Sequence, residues 1–138
     1  MKIHTMLSAT WIALASVAGT ASAHAGQAET VTPRFSQSIP NMPGKSLIAV
    51  EVDYAPGAAS PIHTHAKSAF IYAYVLSGEI QSKVDDGETR IFKAGESWSE
   101  APGAVHSISR NASNSAPAKL LAVFVVDSAD KPLTTPLK

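Results

Sequence analysis

From residue 46 onward the chain is a succession of short strand-like runs, each cut off by a turn. The runs are Ser46–Tyr54 (SLIAVEVDY), Phe70–Leu76 (FIYAYVL), Glu79–Val84, Thr89–Phe92, Glu96–Ser99, Val105–Arg110 and Lys119–Val126 (KLLAVFVV). Pro56-Gly57, Ser77-Gly78, Asp86-Gly87, Ala94-Gly95 and Pro102-Gly103 fall between them. Glycine supplies the positive φ that tight reversals need, and Asp tolerates it, so Asp85-Asp86-Gly87 reads as a hairpin. No stretch after residue 30 sustains a helical period. Strands this short cannot bury an apolar face alone and must pack as a sandwich or close into a barrel. The fold class is therefore all-β. Phe70–Leu76 is apolar throughout, which predicts a strand buried on both faces.

Composition narrows the function. The 138 residues carry 11 Lys+Arg against 11 Asp+Glu. That balance lacks the basic excess of a nucleic-acid-binding protein. The absence of Cys excludes disulfide scaffolds, thiol nucleophiles and thiolate zinc sites. Residues 1–23 (MKIHTMLSATWIALASVAGTASA) have a lysine near the start, a short apolar middle and an A-x-A exit. This is the layout of a cleaved secretory signal peptide, with the cut after Ala23 or Ala25. The expected product is a periplasmic or secreted bacterial protein with no membrane segment left. The remaining chain divides into a leader and first strand over 24–45, the main domain over 46–127 and a surface tail over 128–138.

Three of the five histidines, His63, His65 and His106, fall inside the β domain. His63 and His65 are two apart on an extended segment and so share a face. His106 follows the Pro102-Gly103 turn on a later strand, and antiparallel pairing can bring it opposite the other two. Three converging imidazoles make a metal site. His4 leaves with the signal peptide. His24 would chelate copper only if cleavage left it first, and reads as a chance terminal histidine. Asn111-Ala112-Ser113 matches a glycosylation acceptor but is read as chance in a bacterial chain.

The neighbours of these histidines form two spaced motifs. Gly57, five residues, His63-x-His65 and then Gly78 resembles the first motif of the cupin superfamily. Gly95, five residues, Ala101-Pro102-Gly103, two residues and His106 resembles the second. Tyr74-Val75-Leu76-Ser77-Gly78-Glu79 is similar to the strand and turn that close the first motif in small single-domain cupins. The resemblance covers roughly Ser46 to Val126. It implies a jelly-roll β-barrel of six to eight or more short antiparallel strands around a ligand cavity.

The resemblance also exposes three departures. The glutamate that usually completes the first motif falls at Ile71, and no carboxylate lies between His65 and Glu79, so the fourth ligand is expected to be missing. Ala101 stands where the second motif usually has Pro, with Pro102 one place later. Arg110 replaces the usual Asn, which appears one residue later as Asn111.

Three neutral imidazoles suit one divalent Fe, Cu, Ni or Zn ion and leave coordination positions open. The expected function is a small-molecule metalloenzyme, with dioxygenase chemistry implied by the resemblance. The alternative is a non-catalytic small-ligand or metal-binding cupin in which Ile71 marks lost catalysis. Ile71, Ala73, Trp98 and Glu100 are candidate substrate-pocket residues. Glu100 reads either as a group orienting a ligand histidine or as an exposed loop acid, with the latter slightly favoured. Lys67 and Ser68 lie near the pocket mouth. If Ile71 faces inward, Phe70, Tyr72 and Tyr74 face outward and need a cover, which implies a homodimer.

Overall fold

The computed structural model describes residues 29–138. The signal-peptide reading of residues 1–23 and the readings of His4 and His24 fall outside the described residues.

Among the described residues, ten strands form two antiparallel five-stranded sheets. The first sheet contains β1 (Thr30–Ser38), β2 (Lys45–Tyr54), β4 (Phe70–Ser77), β7 (Ser97–Glu100) and β9 (Ala118–Asp127), in the order β1-β2-β9-β4-β7. The second contains β3 (His63–His65), β5 (Glu79–Val84), β6 (Arg90–Lys93), β8 (Val105–Asn111) and β10 (Thr134–Pro136), in the order β10-β3-β8-β5-β6. The all-β reading holds, and seven of the strands lie within a residue or so of the sequence runs. β1 and β10 add to the sheets from the leader and the tail. β10 pairs with β3, placing Thr134 opposite His65.

The core lies between the sheets. Ile48, Val50 and Val52 of β2, Ile71, Ala73 and Val75 of β4, and Leu120, Ala122, Phe124 and Val126 of β9 face Ile80 and Phe92 from the other sheet. Val75, Ile80 and Val126 are fully buried, each stabilising the fold by about 1.5–3 kcal/mol on transfer-energy grounds.

Two local features set geometry near the site. Gly78 has φ +71°, and a Cβ there would lie 2.6 Å from the Pro117 carbonyl oxygen, so only glycine fits between β4 and β5. In β8, Lys83 lies opposite Ile108 and Val84 opposite His106, so Ser107 is an extra, bulged residue. The bulge shifts the inward face from even to odd positions: His106, Ser109 and Asn111 are all buried.

The bulge accounts for the displaced asparagine. Asn111 Nδ2 donates to the carbonyls of Ala55 (3.1 Å) and Ala116 (2.7 Å), and its Oδ1 accepts from Ser113 N at 2.9 Å. A side chain committed to these bonds braces the loops beside β8. One added residue in the strand simply moves this anchor one place along.

β4 corrects one expectation. It is not buried on both faces: Ile71, Ala73 and Val75 point into the core, while Phe70 is 47% and Tyr72 44% exposed. The outer face continues across the sheet in apolar rows. Tyr72 lies opposite Val123, which lies opposite Ala49, which lies opposite Phe35.

Candidate metal centre

β3 and β8 lie side by side with His63 directly opposite His106, and His65 follows two residues on. One nitrogen from each of the three rings falls within 4.8 Å of the others. The convergence expected from spacing is therefore realised, and it depends on a three-residue strand too short to be read as one from apolar pattern.

His63 and His65 are each held through Nδ1, and both nitrogens of His106 have partners. His63 Nδ1 donates to the Pro61 carbonyl at 2.7 Å. A carbonyl only accepts, so the proton sits on Nδ1 and the Nε2 lone pair is free. Burial pushes the His63 pKa down, with the neighbouring imidazoles adding to it, which keeps the ring neutral. His65 Nδ1 lies 3.2 Å from both the Leu133 carbonyl and Thr134 Oγ1. The tail strand β10 thus orients a candidate ligand. His106 Nε2 shares a 2.8 Å hydrogen bond with Ser82 Oγ on β5. Such outer partners fix the ring and its tautomer, as metal-ligating histidines usually require.

The fourth group is Glu100. It is 2% exposed, not the exposed loop acid favoured from sequence. In the β4–β7 ladder Glu100 lies directly opposite Ile71, the position where the first motif lacks its glutamate. A carboxylate thus lies across the rung on the neighbouring strand, while the side chains that converge closely enough to hold a metal ion are the three histidines. Its Oε1 lies 3.2 Å from His106 Nδ1 and accepts from Trp98 Nε1 at 3.1 Å. Its Oε2 lies 3.3 Å from His65 Nε2, yet has no aligned donor and no access to solvent. Burial opposes ionisation of Glu100, but the His106 and His65 imidazoles outweigh it and hold the carboxyl well below the usual carboxylate range. The site therefore contains an anion.

These residues fit a metal ion. His65 Nε2 and Glu100 Oε2 lie 3.3 Å apart, a separation that a shared proton or a bound cation satisfies. The three imidazoles form a donor set for first-row transition ions, with the Glu100 carboxylate beside His65 and His106.

The group opens onto a cavity of about 320 Å³ between the sheets. Ile71, Ala73 and Glu100 line it, with His63, His65, His106 and Phe124. Trp98 is not among the lining residues; it packs against Phe92 at 4.6 Å and acts on the site through its bond to Glu100. Lys67 is exposed and outside the lining. Ser68 is occupied elsewhere, donating through N and Oγ to Asp130 Oδ2 at 2.9 and 2.8 Å.

The cupin-domain profile matches residues 50–124. The chain belongs to the cupin family. A germin-like protein (subfamily 2 member 2) of Arabidopsis thaliana is 32% identical over 98 residues, covering 68% of this chain and 43% of the relative. The chain thus spans less than half of that relative's length. Among solved structures, an uncharacterised conserved protein with a double-stranded β-helix domain from Klebsiella pneumoniae superposes with a TM-score of 0.62. It is 20% identical, over 79% of this chain and 86% of that one. A recombinant oxalate oxidase in complex with glycolate gives a TM-score of 0.59 at 22% identity, over 79% of this chain and 55% of that one. At these identities both structures speak to the fold.

Proposed function

We propose that this cupin holds one divalent transition metal through His63, His65, His106 and Glu100 and works as an exported small-molecule metalloenzyme, of dioxygenase type. The observation that carries the metal reading is the convergence of His63, His65 and His106, whose ligand nitrogens lie within 4.8 Å of one another beside the buried Glu100 carboxylate. When bound, the metal supplies Lewis acidity and, if it is Fe, Cu or Ni, access to redox chemistry with O₂. The chain's own residues supply the rest. Ser82, Pro61 and Leu133 hold the rings, Trp98 holds the carboxylate, and Ile71, Ala73 and Phe124 form a dry wall that keeps bulk water from the reacting group. The oxalate oxidase shows that this fold elsewhere serves oxidative chemistry on a small molecule.

Export rests on the layout of residues 1–23. The dimer rests on the outer apolar rows of the first sheet: Tyr72, Val123, Ala49 and Phe35 form a row with no charge, which can stack on its own image without opposing like charges.

The test is the metal content of mature protein isolated from its export compartment without chelator or affinity tag. About one ion per chain is expected, lost in His106→Ala and reduced in Glu100→Gln. A folded protein that is metal-free and remains so after incubation with Mn, Fe, Ni, Cu and Zn ions refutes the reading. O₂ consumption by the loaded protein then separates an enzyme from a non-catalytic binder.

A further inference from the structure

The cavity has a second polar end, which the metal centre does not use. Tyr54, the last residue of β2, places its hydroxyl 2.7 Å from Ser60 Oγ and 2.8 Å from Ser109 Oγ. Ser109 faces inward because of the β8 bulge. Ser60 is fixed in its loop by a 2.9 Å bond from its backbone N to the Ser109 carbonyl. Glu29, next to β1, also lines the cavity, with the Ser60 hydroxyl against its carboxyl.

Proton counting shows what this end lacks. The three hydroxyls carry three protons. Tyr54 bonds both serine hydroxyls, and whichever way the three protons point, none reaches Glu29 Oε2. Among the described residues, Glu29 Oε2 is out of contact with solvent and has no hydrogen-bond partner. An acceptor left open in a cavity calls for a donor from the occupant.

Charge points the same way. The described residues lining the cavity include two carboxylates, Glu29 and Glu100, and no Lys or Arg. An anionic group seated at the Glu29 end would meet a carboxylate, with no Lys or Arg among the described lining residues to offset it. Val50, Val52, Leu120 and Ala122 form apolar walls for the cavity. At about 30 Å³ per water-sized group, 320 Å³ admits roughly ten non-hydrogen atoms.

We propose that the occupant of this cavity is a small molecule of roughly ten non-hydrogen atoms, with an apolar body and an uncharged O–H or N–H donor seated against Glu29. A dicarboxylate does not meet that description. Glu29 is then a specificity-determining residue, remote from the metal centre. The proposal builds on the metal-site reading only in placing the other end of the same molecule at the histidines.

The experiment compares two ligands of one skeleton, 1,4-benzenedimethanol and terephthalate, by calorimetric titration. The mature protein is used zinc-loaded and metal-free, as wild type and as Glu29→Gln. In the wild type the diol is expected to bind at least about tenfold more tightly than the dianion. Glu29→Gln, which offers an N–H donor to an anion, narrows that ratio. Terephthalate binding as tightly as the diol, an unchanged ratio in Glu29→Gln, or no diol binding up to about 10 mM each overturns the proposal. Metal content is measured on the same samples. A protein that takes no metal yet shows the preference keeps this inference and loses the earlier one.

Discussion

The cross-strand placement of Glu100 opposite Ile71 leads to a test by exchange. Ile71 is 1% exposed and Glu100 2%, and they are direct partners in the β4–β7 ladder. Opposed side chains in such a ladder have Cβ atoms about 5 Å apart. Ile71→Glu alone puts two carboxylates side by side in the core. At an effective dielectric of about 20, two unit charges about 5 Å apart repel by about 3 kcal/mol. Glu100→Ile alone removes the acceptor facing His65 and His106 and costs about 1–3 kcal/mol for the groups left unpaired. The double variant Ile71→Glu/Glu100→Ile restores one carboxylate and one aliphatic side chain, with their strands exchanged. It should therefore recover most of the repulsion term, giving a coupling energy of about 3 kcal/mol in the cycle. For a domain of this size that is a difference of roughly 12 °C in melting temperature from the additive expectation. The assay is thermal unfolding of all four proteins in chelator, followed by metal loading of each. Metal binding should fall in Glu100→Ile and return in the double variant. Additive destabilisation, with coupling below about 1 kcal/mol, would refute the reasoning that the two positions present one carboxylate to one site.

Three further outcomes follow from the same geometry. Ser82→Ala removes the partner of His106 Nε2 and should lower metal affinity by about tenfold or more, with a modest change in stability, read by competition with a chromophoric chelator. Gly78→Ala should destabilise by about 2 kcal/mol or more in urea unfolding, since its Cβ meets the Pro117 carbonyl and φ is +71°. Glu51 is held down to about 2 from 4.5, first by its bond to Arg34 and then by Lys119. Its depressed pKa stabilises the fold above pH 4.5, and that contribution disappears as pH falls toward 2, so Glu51→Gln should flatten stability across this window.

The strands were legible because each run alternates or is apolar and ends in Gly or Asp chemistry. β10 was not, and the first strand expected within 24–45 came without bounds. β1 (TVTPRFSQS) is largely exposed and carries a bulge between Pro33 and Phe35, so it offers no clean period-two signal. β10 has three exposed residues and a proline and is a strand only because β3 lies beside it. The both-faces reading of β4 failed for a related reason. An apolar run does not say whether the second face has a neighbour, and here Phe70 and Tyr72 have none among the described residues.

The centre itself divides along the same line. His63, His65 and His106 could be found because two of them share a strand face and the third follows a recognisable turn. Glu100 could not be placed, because its role depends on the register between β4 and β7, and Glu100 and Ile71 are not local neighbours in sequence. The signal available was parity: Glu100 shares a face with Trp98, and an inward acid on a short strand needs partners. Those partners are the same imidazoles that the spacing of the two motifs had already brought together. A carboxylate moved across one ladder rung stays within about 5 Å of its place in the motif and can still face the same imidazoles. Loss of a motif residue is therefore evidence of a lost ligand only after the facing strand has been examined.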